Sequence, residues 1–141
     1  MNNRGITVAE LLVAVGLGAM LLILTLGGWQ GFASQLAATR NLRTVTQALH
    51  TARYTAIRDN EAVLVSGGER RLELKQHSQQ GWQTVRLFTL EPEYSLKLNA
   101  QPVFYPEGAV SPLCSILVRG GDRSWRIAIS IVGRIKVTRL D

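Results

Sequence analysis

Cysteine and histidine are nearly absent from this 141-residue sequence. Cys114 is the single cysteine, which excludes an intrachain disulfide and reads as a small apolar core residue rather than a reactive thiol. The two histidines, His50 and His77, stand in no H-x-x-x-H or Cys/His cluster, so the spacing of a metal centre is missing. A nucleophilic dyad of Cys114 with His77 would have to join distant residues. No phosphate-cradling glycine loop is present, and no Asp/Asn cluster near the C-terminus suggests calcium. Glu91 and Glu93 flank Pro92 and solubilise a turn rather than form an acid/base pair. These absences predict a protein that is not an enzyme and needs no cofactor. Acidic residues are also scarce: ten Asp and Glu face sixteen Lys and Arg, a formal net charge of +6 that favours anionic partners such as nucleic acid, lipid headgroups or acidic proteins.

Charge is scarcest near the start. From Ile6 to Gly28 the only charged residue is Glu10. A helical run of about 20 apolar residues crosses the roughly 30 Å hydrocarbon core of a bilayer, so residues 6–28 read as a membrane-spanning helix. A secretory signal peptide with Arg4 as its charged region fits poorly, because the run exceeds the usual 7 to 15 residues and no A-x-A site closes it. A plain anchor leaves Glu10 unexplained, since an ionised side chain at bilayer depth costs roughly 2.5 to 3.5 kcal/mol or more.

Beyond Gly28, Ala38, Leu42, Val45, Leu49, Ala52 and Ala56 recur at spacings of four and three, one face of an amphipathic helix over residues 29–58. Arg40, Arg43, Gln47, Thr51 and Arg58 fall largely off that stripe. After Asp59-Asn60 the period changes to two. Ala62 to Ser66, Arg70 to Gln76, Trp82 to Leu90, Ser115 to Arg119, Ser124 to Ile131 and Arg134 to Arg139 read as strands, with Gly67-Gly68 and Gly120-Gly121 at hairpin turns. Pro102, Pro106, Gly108 and Pro112 mark an irregular connection. Trp125, Ile127, Ile129 and Ile131 share one expected face, and Ile135 and Val137 alternate with Arg134, Lys136 and Thr138. About 80 residues after Arg58 make a marginal core without disulfides, so the sheet must borrow the helix stripe. The expected class is α+β: one long N-terminal helix packed on a small antiparallel β domain, residues 59–141.

The residues Arg4-Gly5-Ile6-Thr7, Glu10 and the apolar run resemble the type IV pilin superfamily, in which a short polar leader ending in Gly precedes an apolar helix with Glu at its fifth mature position. The resemblance implies a leader of residues 1–5, cleavage between Gly5 and Ile6 by a prepilin peptidase, and N-methylation of Ile6. It implies the pilin fold, a single pass through the inner membrane with the C-terminal domain on the extracytoplasmic side, and later filament assembly with other pilins or pseudopilins. A freed Ile6 amine is largely cationic at neutral pH, and Glu10, favoured in a first turn by the helix dipole, could pair with that amine on a neighbouring helix. Ile6 in place of the more usual Phe, and the lack of a helix-kinking Pro, depart from the common pattern. The run from Leu49 to Val63, with Ala52-Arg53 and Ala56-Ile57, is similar to the GspH/FimT group of minor pseudopilins and minor pilins. Val103-Phe104, Gly108 and Gly133-Arg134-Ile135-Lys136-Val137 match later landmarks of that group.

Two functions follow from this resemblance. The first is a GspH-type minor pseudopilin that helps assemble or cap a type II secretion pseudopilus. The second is a FimT-like minor pilin of a type IV pilus that binds DNA for uptake. The basic end separates them: Arg134, Lys136 and Arg139 are the candidate phosphate contacts, in a Gly-Arg-x-Lys run where the FimT-like motif has a second Arg. Lysine still neutralises phosphate, as a point charge rather than a fork. Solvent-face charges that protect an edge strand are the other reading of the same residues.

Overall fold

The computed structural model describes residues 7–140, and for residues 24–30 the backbone alone. One helix, α1 (Val8–Asp59), precedes nine strands. The chain divides into two units, Met1–Ala37 and Ala38–Asp141, which are taken in turn.

In the first unit the helix starts at a capping box. The Thr7 amide and hydroxyl both donate to Glu10 Oε2, at 2.9 and 3.1 Å, and the Glu10 amide donates to Thr7 Oγ1 at 3.3 Å. Thr7 is thus the N-cap and Glu10 the third helical residue, which satisfies backbone donors that the first turn leaves without partners. From residue 7 to residue 23 every residue is exposed, although most are aliphatic. Among the described residues no helix is long and apolar enough to cross a membrane. The apolar run of residues 6–28 is described with its side chains only from 7 to 23, and the leader with the Gly5–Ile6 junction lies outside the described residues.

In the second unit the helix buries the expected stripe. Ala38, Val45, Leu49, Ala52 and Ala56 are buried, and Leu42 is half-buried at the margin. The stripe is wider than the apolar pattern indicates: Ala48 is fully buried, and so nearly is Asn41, at 2% exposure. Asn41 Oδ1 accepts a hydrogen bond from the Glu91 amide at 3.0 Å, tying the helix to the turn at Pro92. The helix ends at Asp59, and Asn60 (φ 53°) takes the left-handed conformation common just past a helix C-terminus.

The strands β1 (Val63–Gly67), β2 (Arg71–Ser78), β3 (Gly81–Thr89), β5 (Val103–Phe104) and β6 (Val110–Ser111) form one antiparallel sheet in the order β3-β2-β1-β5-β6. A second antiparallel sheet has the order β4-β7-β8-β9, with β4 (Tyr94–Leu98), β7 (Cys114–Gly120), β8 (Arg123–Ile129) and β9 (Ile135–Leu140). The β domain is therefore two sheets. Val65, Leu74 and Phe104 of the first, and Ile116, Val118 and Ile127 of the second, are buried together with the helix stripe, so the core draws on all three elements.

Three strand expectations need correction. β4 falls in a stretch where no strand was expected; Tyr94 and Leu96 are buried there at alternate positions. Ile131 is not on the core face: β8 stops at Ile129, the chain turns through residues 130–134 with Gly133 at φ 71°, and Ile131 is 64% exposed. β9 does not alternate cleanly between core and solvent. It is an edge strand, and Val137, on the inner side by register, is still 43% exposed because no second layer covers that margin.

Two glycines in this unit carry positive φ beside Arg53. Its guanidinium donates to the Gly133 carbonyl at 3.4 Å, and a Cβ at Gly133 would lie 3.2 Å from Arg53 Nε. At Gly108 (φ 83°) a Cβ would meet the same side chain at 3.5 Å. One arginine of the helix thus bonds to the Gly133 loop and lies close beside the Gly108 loop.

Candidate functional site

Glu10, the expected assembly residue, is exposed in the capped first turn of α1. Both of its described hydrogen bonds from Thr7 fall on one carboxylate oxygen, Oε2. The Thr-x-x-Glu spacing signals a capping box, which adds hydrogen bonds with Thr7 to the helix-dipole preference expected for Glu10. Around it, exposed aliphatic side chains including Leu11, Leu12, Val15, Leu21 and Ile23 make this segment an apolar rod.

The three candidate phosphate contacts do not converge. Cross-strand partners share a face, and in the β8–β9 ladder Lys136 lies opposite Ala128 whereas Arg139 lies opposite the buried Trp125. Lys136 therefore points outward and Arg139 toward the inner side of the sheet margin. Arg134 precedes β9, but the Ser130 amide donates to its carbonyl at 3.0 Å and its own amide donates to Ser130 Oγ at 3.0 Å. This places Arg134 on the outward face with Lys136, two residues apart.

That outward face carries more positive charge than the terminal run alone. By register Lys97 pairs with Leu117, Leu117 with Arg126, and Arg126 with Thr138, so one row crosses all four strands. Arg119, two residues from Leu117 along β7, is on the same side. No acidic residue occurs at the outward positions of this sheet. Both ion pairs found among the described residues lie elsewhere, Arg58 with Asp59 and Lys75 with Glu73.

The residues considered for catalysis are dispersed. His50 is exposed on the helix, while His77 near the end of β2 sits edge-on to Trp82 with ring centres 5.1 Å apart. Cys114 is buried, and its Sγ donates to the Ala100 carbonyl at 3.1 Å. Burial pushes the thiol pKa up, which works against a reactive thiolate. Among the described residues no three His, Cys, Asp or Glu side chains gather where they could hold a metal ion.

A long N-terminal helix whose second half packs one face against an antiparallel two-sheet domain is an α+β pilin fold. The minor pseudopilin EpsH from the type 2 secretion system of Vibrio cholerae has a similar structure, with a TM-score of 0.61 over 72% of this chain and 94% of that one. Sequence identity is 17%, so the likeness is one of fold. No protein-family model and no curated protein matches the sequence.

Proposed function

We propose that this chain is a membrane-anchored filament subunit, a minor pseudopilin of the GspH type that helps assemble or cap a type II secretion pseudopilus. The observation that carries this reading is the exposed apolar rod of residues 8–23, interrupted only by Glu10 in its capped first turn, on a fold similar to that of a pseudopilin. Processing between Gly5 and Ile6 exposes an amine, and Glu10 of one subunit pairs with that amine on its neighbour, because an uncompensated carboxylate in an apolar environment is costly. The subunit is structural, without catalysis or cofactor of its own. It sits in the inner membrane with the β domain on the extracytoplasmic side until it joins the filament.

Glu10→Leu tests the assembly role. Membrane insertion should persist or improve, since an intramembrane charge is removed, while co-purification with sister subunits falls. Normal co-purification of the variant would refute the role. Intact mass of the native protein should show loss of residues 1–5 and one added methyl; a full-length mass would refute processing.

The outward placement of Arg134 and Lys136 supports a second reading, a FimT-like minor pilin that binds DNA. Duplex binding should then weaken with salt, and Arg134→Ala with Lys136→Ala should lower the slope of log affinity against log salt by roughly 2, about 0.9 for each phosphate contact. Absence of duplex binding at low salt would remove this reading.

A further inference from the structure

We infer that the outward face of the β4-β7-β8-β9 sheet is a docking surface for a protein partner that presents carboxylates on either side of an aliphatic side chain. The row Lys97–Leu117–Arg126 places a leucine between two cations on adjacent strands, and Arg119 adds a third along β7. Neighbouring strands are about 4.8 Å apart, so the backbone positions of all three cationic residues lie within roughly 7 Å of that of Leu117. Leu117 is half-buried while Lys97, Arg119 and Arg126 are exposed. Two shallow depressions meet there: one is lined by Lys97, Asn99, Ser115, Leu117 and Arg126, and the other extends past Leu117 and Arg119 to the β1–β2 turn, where Glu69 is the one acidic residue against Lys97 and Arg119.

The three residues concentrate positive charge on one face, and none of them is in an ion pair among the described residues. Charge complementarity therefore calls for an anionic occupant. The chemistry of the floor chooses its class. An aliphatic side chain at the centre of a cationic ring matches the apolar core and polar rim of a protein interface. A phosphate backbone needs neither Leu117 nor a ring, and no aromatic residue stands at the outward positions of these strands to stack on bases. The inference rests on the residues of this sheet face and not on the filament reading.

Fluorescence anisotropy with the full chain in non-ionic detergent tests the inference. The probes are a short labelled peptide alternating Glu and Leu, the same peptide with Gln for Glu, and a labelled DNA duplex of equal charge to the first. The Glu/Leu peptide should bind and the Gln/Leu peptide should not. The triple change Lys97→Gln, Arg119→Gln and Arg126→Gln should weaken binding by about tenfold or more, since three rim pairs of ordinary surface strength combine to that factor. Leu117→Ser should weaken it with all three charges intact. A control of equal charge change, Arg40→Gln with Arg43→Gln and Arg86→Gln on the helix and the other sheet, should stay within about twofold of the unaltered protein at moderate salt, where distant charges are screened. Circular dichroism checks that the variants fold. The inference is overturned if the Glu/Leu peptide fails to bind, if the control loses as much as the triple variant, or if the duplex binds more tightly than the peptide at the same salt.

Discussion

Gly120 closes β7 opposite Tyr94 in β4, and the ring of Tyr94 lies across the glycine. A Cβ built there would stand 2.7 Å from Tyr94 Cζ and closer still to the near edge of the ring. Tyr94 is 6% exposed, so Gly120→Ala leaves two outcomes. If the ring stays, overpacking costs about 1–3 kcal/mol. If it swings out, the burial of a large side chain is lost, about 1.5–3 kcal/mol. Both routes converge on about 2 kcal/mol. Gly120 is not among the glycines at positive φ, so the backbone itself accepts alanine. With the ring removed by Tyr94→Ala, the same Gly120→Ala change should be neutral or stabilising by about 0.4–1 kcal/mol, through the reduced freedom of the unfolded chain. The double-mutant cycle should therefore show a coupling of about 2–3 kcal/mol. Thermal unfolding of the full chain in detergent, followed by near-ultraviolet circular dichroism, measures it. A single Gly120→Ala loss of about 2 kcal/mol lowers Tm by at least about 8 °C for a domain near 100 residues. Equal costs of Gly120→Ala in both backgrounds would refute the packing argument.

Asn41→Ala should destabilise the second unit by about 1–3 kcal/mol, because the Glu91 amide loses its acceptor; the same thermal assay reads it. Asp59 is held below the usual carboxylate range by hydrogen bonds from Arg58, at 2.8 Å to Nη2, and from Gln76 at 3.2 Å. A depressed folded pKa contributes stability above the unfolded value near 3.9, lost as pH falls through the folded one. Asp59→Asn should accordingly flatten the acid limb of the stability profile below about pH 4. Cys114 should react with a thiol reagent at pH 8 far more slowly than free cysteine, and reach the free rate only on denaturation, because it is buried with a raised pKa.

Local order was legible in the sequence wherever one short-range rule decided it. The spacing from Ala38 to Ala56 marked the buried helix stripe, because the 3.6-residue period puts those side chains on one face whatever covers it. Asp59-Asn60 marked the helix end, and the paired glycines marked two hairpins that the ladders contain. The Thr7-x-x-Glu10 box was equally local: the helix dipole favours Glu10 in the first turn, and the Thr7 hydrogen bonds add a cap to that preference. Arg134 and Lys136 were placed on one outward face by alternation, and the Ser130 hydrogen bonds keep them there.

What only the tertiary structure decided was which faces receive a second layer. Alternation states that Ile129 and Ile131 share a side of an extended strand; it cannot state that the strand stops between them and exposes Ile131. Asn41 is polar and lies off the apolar pattern, and its burial makes sense only beside a turn fifty residues away that supplies a donor. Division of the strands into two sheets, and the edge position of β9, depend on pairings that no local pattern carries. The cationic ring around Leu117 has the same origin. Leu117 and Arg126 face each other across the β7–β8 hairpin, and Lys97, twenty residues before Leu117, joins them only because β4 pairs with the other edge of β7. Periodicity sets the direction of a side chain relative to its own backbone, whereas burial and neighbourhood depend on long-range pairings that the whole chain must form together.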